Sequence, residues 1–125
     1  MGDHASAIQG IVALAVDCAD PPGLAGWWGR LLGGRVAVAG DGDATLYTPD
    51  GLVIDFLAVP EPKAGKNRLH LDLRSSDLQQ ATEQALALGA TLADDIYTGD
   101  GWRVLRDPEG NEFCVLRPGS GPSAS

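Results

Sequence analysis

The chain has 125 residues, 44% of them hydrophobic and 21% charged, which is enough for one folded domain with a real hydrophobic core. Its formal net charge of −8 argues against a nucleic-acid partner, because phosphate binding needs a basic surface. No apolar stretch approaches the length of a membrane span, and the N-terminus lacks the features of a signal peptide, so we expect a cytoplasmic protein that does not bind a membrane.

The first half of the chain is predicted to form a strand, a helix and three further strands. Alternating apolar residues predict the strand over residues 11–17. Asp20 followed by two prolines is typical of a helix start, because the carboxylate accepts from the first amides and proline needs no amide donor there. Gly33-Gly34 ends this helix, and the three strands lie near residues 35–39, 44–48 and 52–59.

The second half is predicted to repeat the same order of elements. Residues 60–67 are rich in Pro, Gly and Lys and indicate an exposed crossover. A strand over residues 68–74 follows, with His70 and Asp72 on one face and leucines on the other. Ser76 or Asp77 caps a second helix, which Gly89 ends. The last strands lie near residues 91–94, 102–106 and 111–116.

The two halves are therefore loose copies of one βαβββ module. Their helix starts are offset by roughly 57 residues, which is longer than the usual repeat of a solenoid. Two copies are also too few to form a solenoid. We expect one domain over residues 8–118, with module 1 over about 8–60, the crossover at 60–67 and module 2 over about 68–118. Residues 1–7 and 119–125 are expected to be disordered. A duplication of this kind predicts two similar sheets that face each other, with a ligand site between the copies.

Several motifs resemble those of the vicinal oxygen chelate superfamily, and in particular its small glyoxalase-like and bleomycin-resistance-like domains. They are Asp17-Cys18-Ala19-Asp20-Pro21, Trp27-Trp28-Gly29-Arg30-Leu31-Leu32-Gly33, Lys66-Asn67-Arg68-Leu69-His70-Leu71-Asp72-Leu73, Leu88-Gly89-Ala90 and Asp107-Pro108-Glu109-Gly110-Asn111-Glu112-Phe113. The resemblance implies an α+β fold in which two βαβββ modules form a cupped mixed sheet. It does not fix the function, because one such scaffold hosts isomerases, lyases, dioxygenases and drug-binding proteins.

The resemblance also implies where a divalent ion would bind. The matching ligand positions are Ala13, Asp55, His70 and Cys114. Ala13 has no donor atom, so the octahedral metal site of metal-dependent relatives is not expected, and an ion-free pocket is favoured. If an ion such as zinc, nickel, manganese or iron is bound, His70, Asp55 and Cys114 are the candidate ligands.

His70 has two interpretations. It is either an imidazole that only shapes the cavity or a general acid or base held by Asp55 or Asp72. Glu112 either faces the cavity or pairs with Arg103 or Arg106 at its rim. The predicted pocket is lined by the catalytic candidates His70, Asp55 and Asp72 and by the ligand-binding candidates Ala13, Leu57, Trp102, Glu112 and Cys114.

Three functions remain open at this point. The first is a metal-free domain that binds a small organic molecule in a concave, mostly apolar pocket. The second is an isomerase or lyase that moves a proton through His70 with Asp55 or Asp72, with or without a divalent metal. The third is a pairing module without a small ligand, because relatives of this kind commonly associate as homodimers. Cys18 and Cys114 are expected to be reduced thiols, as in a cytoplasmic protein.

Overall fold

The computed structural model describes residues 11–93 and 101–119. In these residues the helices are α1 (Pro21–Leu32) and α2 (Leu78–Ala87). The strands are β1 (Leu14–Cys18), β2 (Arg35–Val38), β3 (Ala44–Tyr47), β4 (Val53–Ala58), β5 (Leu71–Arg74), β6 (Thr91–Leu92), β7 (Trp102–Arg106) and β8 (Glu112–Leu116). The disorder expected for residues 1–7 and for most of 119–125 falls outside the described residues.

The eight strands form two open, mixed sheets. Sheet A has the order β1-β4-β3-β2 and sheet B the order β5-β8-β7-β6. In each sheet the first and last strands of a module pair in parallel, and the other pairs are antiparallel. The prediction of an α+β fold made of two βαβββ modules is confirmed, and the two sheets do not close on one another.

Both helices begin at capping carboxylates. The Asp20 side chain accepts a hydrogen bond from the Gly23 N–H at 3.2 Å, directly ahead of the prolines that open α1. Asp77 accepts from the Gln80 N–H at 3.0 Å, so Asp77, and not Ser76, caps α2. Neither of these helices is long and apolar enough to cross a membrane.

The helix-covered faces of the two sheets share one hydrophobic core. Trp27 and Trp28 of α1 lie edge-on to Phe113 of β8, with ring centroids 6.0 and 4.9 Å apart. The Trp28 indole N–H also donates to Asp107 at 2.9 Å, in the turn between β7 and β8. Both tryptophans pack on sheet A and also connect the two modules. Their ring contacts with Phe113 and their indole hydrogen bonds to Leu88 and Asp107 all cross from module 1 to module 2.

This packing determines how much space is left between the two copies. The two sheets face each other with their helix-covered sides, and buried side chains fill most of the space between them. The space that remains between the copies is a cleft at one edge of the core, lined by residues of both modules. The two helix-free faces, which we call the open faces, lie on opposite sides of this shared core.

The predicted strand over residues 68–74 is shorter in the structure, where β5 begins only at Leu71. The backbone N–H of Asn67 donates to the Glu112 carboxylate at 2.8 Å, and its side chain donates to the Glu112 carbonyl at 3.0 Å. These bonds hold the end of the crossover outside the strand ladder. His70 therefore directly precedes β5 and does not belong to it.

Candidate functional site

Strand alternation sorts the predicted site residues onto the two open faces. In β4, Ile54 and Phe56 belong to the shared core, so Asp55 and Leu57 point to the open face of sheet A. In β8, Phe113 and Val115 belong to the core, so Cys114 points to the open face of sheet B. The same alternation places Asp72, Trp102 and Glu112 with the second group. His70 precedes β5 and lies beside Asp72, and Ala13 directly precedes β1.

Three candidate residues come together on the open face of sheet B. His70 Nε2 lies 3.0 Å from Asp72 Oδ1. Cys114 pairs with Asp72 in the parallel ladder, and ligand atoms of His70, Asp72 and Cys114 all lie within 4.8 Å of one another. We call this group the His70 cluster. Of the two carboxylates proposed from the sequence as partners of His70, the structure pairs it with Asp72.

The His70 cluster combines exposed and buried groups. The side chains of His70 and Asp72 are 38% and 29% exposed, whereas Cys114 is 7% exposed. Burial, and next the negative charge of Asp72, raise the pKa of the Cys114 thiol to about 11. In the protein without a bound cation, Cys114 is therefore a protonated thiol at neutral pH and a poor nucleophile.

An apolar surface lies beside the His70 cluster. Cys114 packs with Ala93, Val104 and Leu116 in a small buried group of its own, and the Trp102 ring packs against that group. The Trp102 side chain thus lies on the same open face as the cluster, against the apolar group that contains Cys114. The preceding loop, residues 94–100, lies outside the described residues.

Asp55 lies apart from the His70 cluster. On the open face of sheet A its carboxylate accepts a 2.6 Å hydrogen bond from Thr45 Oγ1, across the β3–β4 ladder. On the same face the Arg35 guanidinium stacks 4.3 Å from the centre of the Tyr47 ring. The candidate set His70, Asp55 and Cys114 is therefore not assembled within one chain, because its members lie on two different open faces.

Glu112 is buried and holds the crossover. Besides the two bonds to Asn67, its carboxylate lies 3.3 Å from Arg106 Nε and 3.4 Å from Lys63 Nζ. Burial raises the pKa of Glu112, but the Asn67 amide and the Lys63 ammonium outweigh it, so the pKa lies below its ordinary value. The sequence suggested a pairing with Arg106 but gave no signal for Lys63 or Asn67, which are remote along the chain.

A cleft of about 500 Å³ lies between β1 and residues 67–71. Its floor is formed by Trp28, Phe56 and Phe113, and its lining includes Ala13, His70 and Glu112 from the predicted site. At its margin Leu69 is 85% exposed, and the neighbouring Ile11 and Val12 are 89% and 91% exposed. Among the described residues, β1 pairs only with β4 and β5 only with β8, so both strands present a free edge.

Comparison with known proteins identifies a family. The family model described as a glyoxalase-like domain matches residues 13–116. A search of curated proteins gives no match.

Solved structures share the fold at low identity. The fosfomycin resistance protein FosX from Listeria monocytogenes, complexed with Mn(II) and 1S,2S-dihydroxypropylphosphonic acid, has a TM-score of 0.70 and 14% identity over 87% of this chain and 90% of that one. A glyoxalase/bleomycin resistance protein/dioxygenase family enzyme from Burkholderia phytofirmans has a TM-score of 0.68 and 19% identity over 84% and 95%. An integron cassette protein from V. cholerae has a TM-score of 0.61 and 20% identity over 88% and 95%.

The residues of this chain do not fit a metal site with the donors implied by the resemblance. Ala13 offers only a methyl group, Asp55 is held by Thr45 on the other sheet, and Cys114 is a buried thiol. Mn(II) prefers several oxygen or imidazole ligands in octahedral geometry. Among the four expected ligand positions in the described residues of one chain, only His70 offers an imidazole beside a carboxylate. That carboxylate belongs to Asp72, which is not one of the four positions.

Proposed function

The chain belongs to the glyoxalase-like domain family of the vicinal oxygen chelate superfamily, and on this basis we propose that it binds a small organic molecule. The binding site would be the open face of sheet B, centred on the His70 cluster. The open face of sheet A from a second copy would complete it, so that Asp55, Leu57 and Ala13 of one copy lie beside His70, Asp72 and Cys114 of the other.

The observation that carries this proposal is the composition of the open face of sheet B. Small-molecule sites are mostly apolar and contain a few convergent polar groups. Here the His70–Asp72 pair provides the polar groups, and Trp102 with the apolar group around Cys114 provides an apolar surface on the same face. A planar or partly apolar ligand with one or two polar atoms suits this combination.

The free edges of β1 and β5 support a homodimer as part of this proposal. If β1 of one copy lies beside β5 of the other, the two open faces become one continuous concave surface. The exposed apolar side chains of Ile11, Val12 and Leu69 would then be buried at the junction, which is favourable at about 25 cal/mol per Å² of apolar area.

Both Cys18 and Cys114 are free thiols, which supports a cytoplasmic location.

A second candidate function is an isomerase or lyase, favoured by the 3.0 Å contact between His70 and Asp72. A carboxylate in this position fixes the orientation of the imidazole, which can then accept a proton from a substrate carbon and return it elsewhere. Substitution of His70 by alanine separates the two functions. It abolishes turnover if the protein is an enzyme and changes only affinity if the protein is a binding domain.

The binding proposal is tested by thermal shift with a panel of small neutral organic molecules and with 1S,2S-dihydroxypropylphosphonic acid, the ligand named for FosX. Any compound that raises the melting temperature is then titrated against two variants. Trp102→Ala alters the open face of sheet B, whereas Leu69→Ala shortens a side chain at the cleft without placing a charge at the proposed junction. We expect Trp102→Ala to weaken binding at least about tenfold, since burial of a large apolar surface is lost. Binding that is weakened by Leu69→Ala and not by Trp102→Ala would place the ligand in the cleft and contradict the proposal.

A further inference from the structure

We propose that the ligand of the open face of sheet B carries an anionic group, a carboxylate or a phosphonate, and that the ammonium of Lys66 binds this group. The inference rests on the ligand site proposed above, and it adds the charge of the molecule that this site accepts. Lys66 belongs to the crossover and is not one of the site residues expected from the sequence.

Hydrogen bonds hold Lys66 at the border of this open face. The backbone N–H of the next residue, Asn67, donates to the Glu112 carboxylate at 2.8 Å, and the Asn67 side chain donates to the Glu112 carbonyl at 3.0 Å. Glu112 and Cys114 follow one another on the open face and lie about 6–7 Å apart along β8. The Lys66 side chain is a flexible four-carbon stem with a terminal ammonium, so it can reach the surface around Cys114.

The charge of Lys66 acts on the same part of the face. Burial, followed by the negative charge of Asp72, raises the pKa of the Cys114 thiol to about 11, and the positive charge of Lys66 acts in the opposite direction. Interactions between charges weaken with distance and are screened by water and salt. The influence of Lys66 on a buried thiol therefore agrees with an ammonium on the Cys114 side of the crossover.

The ammonium of Lys66 is not used to stabilise the fold. Lys66 is exposed, and its side chain has no hydrogen bond or ion pair among the described residues. Two other cations of this region differ in this respect, because Lys63 Nζ and Arg106 Nε lie 3.4 and 3.3 Å from the Glu112 carboxylate. In a chain with a net charge of −8, a local cation of this kind determines where an anion is attracted.

The Asp72 carboxylate on this face is engaged by other groups. Its Oδ1 lies 3.0 Å from His70 Nε2, and it accepts a hydrogen bond from the Cys114 thiol. Asp72 is thus held by its neighbours on the open face, and Lys66 can pair with a ligand. A ligand with an apolar body and one anionic group would place the body against Trp102 and the charge towards the crossover.

The test uses the full-length protein and two probes of the same shape, benzoate and benzamide, which differ in charge. Their dissociation constants are measured by NMR chemical-shift titration at low ionic strength, because salt screens the attraction between exposed charges. We expect benzoate to bind about three- to fivefold more tightly than benzamide, as for a favourable exposed ion pair. Phenylphosphonate should show the same preference over benzamide, and added salt should reduce both differences.

Substitutions separate the charge of Lys66 from the general charge of the protein. Lys66→Gln should abolish the preference for benzoate and leave the affinity for benzamide unchanged, whereas Lys66→Arg should keep the preference. Arg68→Gln is the matched control, because Arg68 is an exposed cation of the same segment, whereas Lys66 is the cation whose charge acts on Cys114. Arg68→Gln should leave the preference unchanged.

The proposal is overturned if benzoate binds the wild type no more tightly than benzamide, if its preference survives in Lys66→Gln, or if Arg68→Gln removes it to the same extent. Binding of neutral compounds alone would also overturn it. Trp102→Ala judges the ligand site separately. If this variant weakens the binding of benzamide or of another neutral compound and no charge preference exists, the ligand site stands and only the role of Lys66 is wrong. Absence of binding by every compound would contradict both proposals.

Discussion

Asp107 shows how much of this fold depends on a single side chain. It is 4% exposed and accepts hydrogen bonds from the backbone N–H groups of Glu109 and Asn111, from the Asn111 side chain and from the Trp28 indole. The first three bonds shape the turn between β7 and β8. The fourth connects that turn to α1 in the other module.

We predict that Asp107→Ala lowers the free energy of unfolding by about 2–4 kcal/mol, because it leaves the buried Trp28 indole and several half-buried donors of the turn without an acceptor. Urea denaturation followed by tryptophan fluorescence measures the change. Asp41→Ala is the control, since Asp41 accepts one hydrogen bond from Asp43 N in an exposed turn and should cost about 1 kcal/mol or less. Equal losses in the two variants would contradict the role assigned to Asp107.

Glu112 predicts a dependence of stability on pH. Its pKa in the folded protein lies below the ordinary value of 4.5. The folded state therefore gains stability from the ionised carboxylate at pH values above 4.5 and loses it as the pH falls through the lowered pKa. In EDTA-treated protein, we expect the stability difference between wild type and Glu112→Gln to be largest at neutral pH and to shrink in acid.

The measurement is the urea midpoint at several pH values between neutrality and acid. Glu83→Gln provides the control, because Glu83 is exposed on α2 and contacts only Gln79 among the hydrogen bonds described for it. A gap between wild type and Glu112→Gln that stays constant with pH would show that the Glu112 carboxylate is not held in its charged form by Lys63 and Asn67.

At the scale of elements, the turn after β7 also fixes the start of α1. The Glu109 carboxylate accepts from the N–H groups of Ala19 and Asp20, at 2.7 and 2.9 Å. These two residues connect β1 to α1, so a side chain of module 2 holds a junction of module 1. The negative charge also lies near the N-terminus of α1, where the helix dipole is positive.

We predict that Glu109→Ala destabilises the protein by about 1–3 kcal/mol, because it removes two charge-assisted hydrogen bonds between modules. Glu109→Gln should recover part of this loss, since an amide oxygen still accepts. Far-UV circular dichroism during urea denaturation gives the values. Glu61→Ala, in the exposed crossover, is the control and should change the free energy of unfolding by no more than about 0.5 kcal/mol. A loss in Glu109→Ala no larger than this would contradict the role of the Glu109 hydrogen bonds between the modules.

The sequence predicted the elements well because each has a local signal. The strand predicted at residues 102–106 matches the limits of β7, and the carboxylate–proline start marked α1. The position of the site was harder to predict. To decide whether Asp55 and His70 share a cavity, one must know which faces of the two modules pack together. Contacts of Trp27 and Trp28 with residues 79 to 86 positions further along the chain determine this packing. No local sequence pattern predicts contacts over such a distance.

The same reason explains why Thr45 and Asn67 were missed. Thr45 meets Asp55 only because β3 and β4 pair in one particular register, and Asn67 meets Glu112 only after the crossover has folded back onto sheet B. Period-two alternation gives the face of a strand but not its register with a neighbour. Of the candidate residues, Asp72 and Cys114 lie on adjacent strands and pair in the ladder, whereas Asp55 lies on the other sheet.

At the scale of the whole molecule, the shared core makes the two modules one folding unit. Phe113 of sheet B is 1% exposed and lies against Trp27 and Trp28 of module 1. Neither module can lose its packing without exposing the apolar surface of the other. Cooperative unfolding of the whole domain follows from this arrangement.

We predict a single unfolding transition with the same midpoint by tryptophan fluorescence and by circular dichroism. Phe113→Ala should lower the free energy of unfolding by about 3–5 kcal/mol, as is typical of a large buried aromatic side chain, and should shift both signals together. Two separate transitions, or a shift confined to one signal, would indicate that the modules unfold independently.

The proposed dimer makes a further prediction. Leu69→Glu places a charge at the junction of β1 and β5 and should convert the dimer to a monomer, as measured by size-exclusion chromatography with light scattering. Val38→Glu is the control, because Val38 is 59% exposed on β2, at the opposite edge of sheet A, and its substitution should leave the dimer intact. A wild-type monomer at all concentrations would contradict the proposed pairing.

The closeness of the two free edges, which border the same cleft, limits how copies of the chain can join. In the proposed dimer, a twofold axis at that cleft would pair β1 and β5 of both copies at once, so assembly through these two edges would close at two chains. Each assembled pair would then carry two identical binding sites, and each site would take one wall from either chain. A substitution in sheet A of one subunit would therefore impair the pocket centred on the histidine of the other.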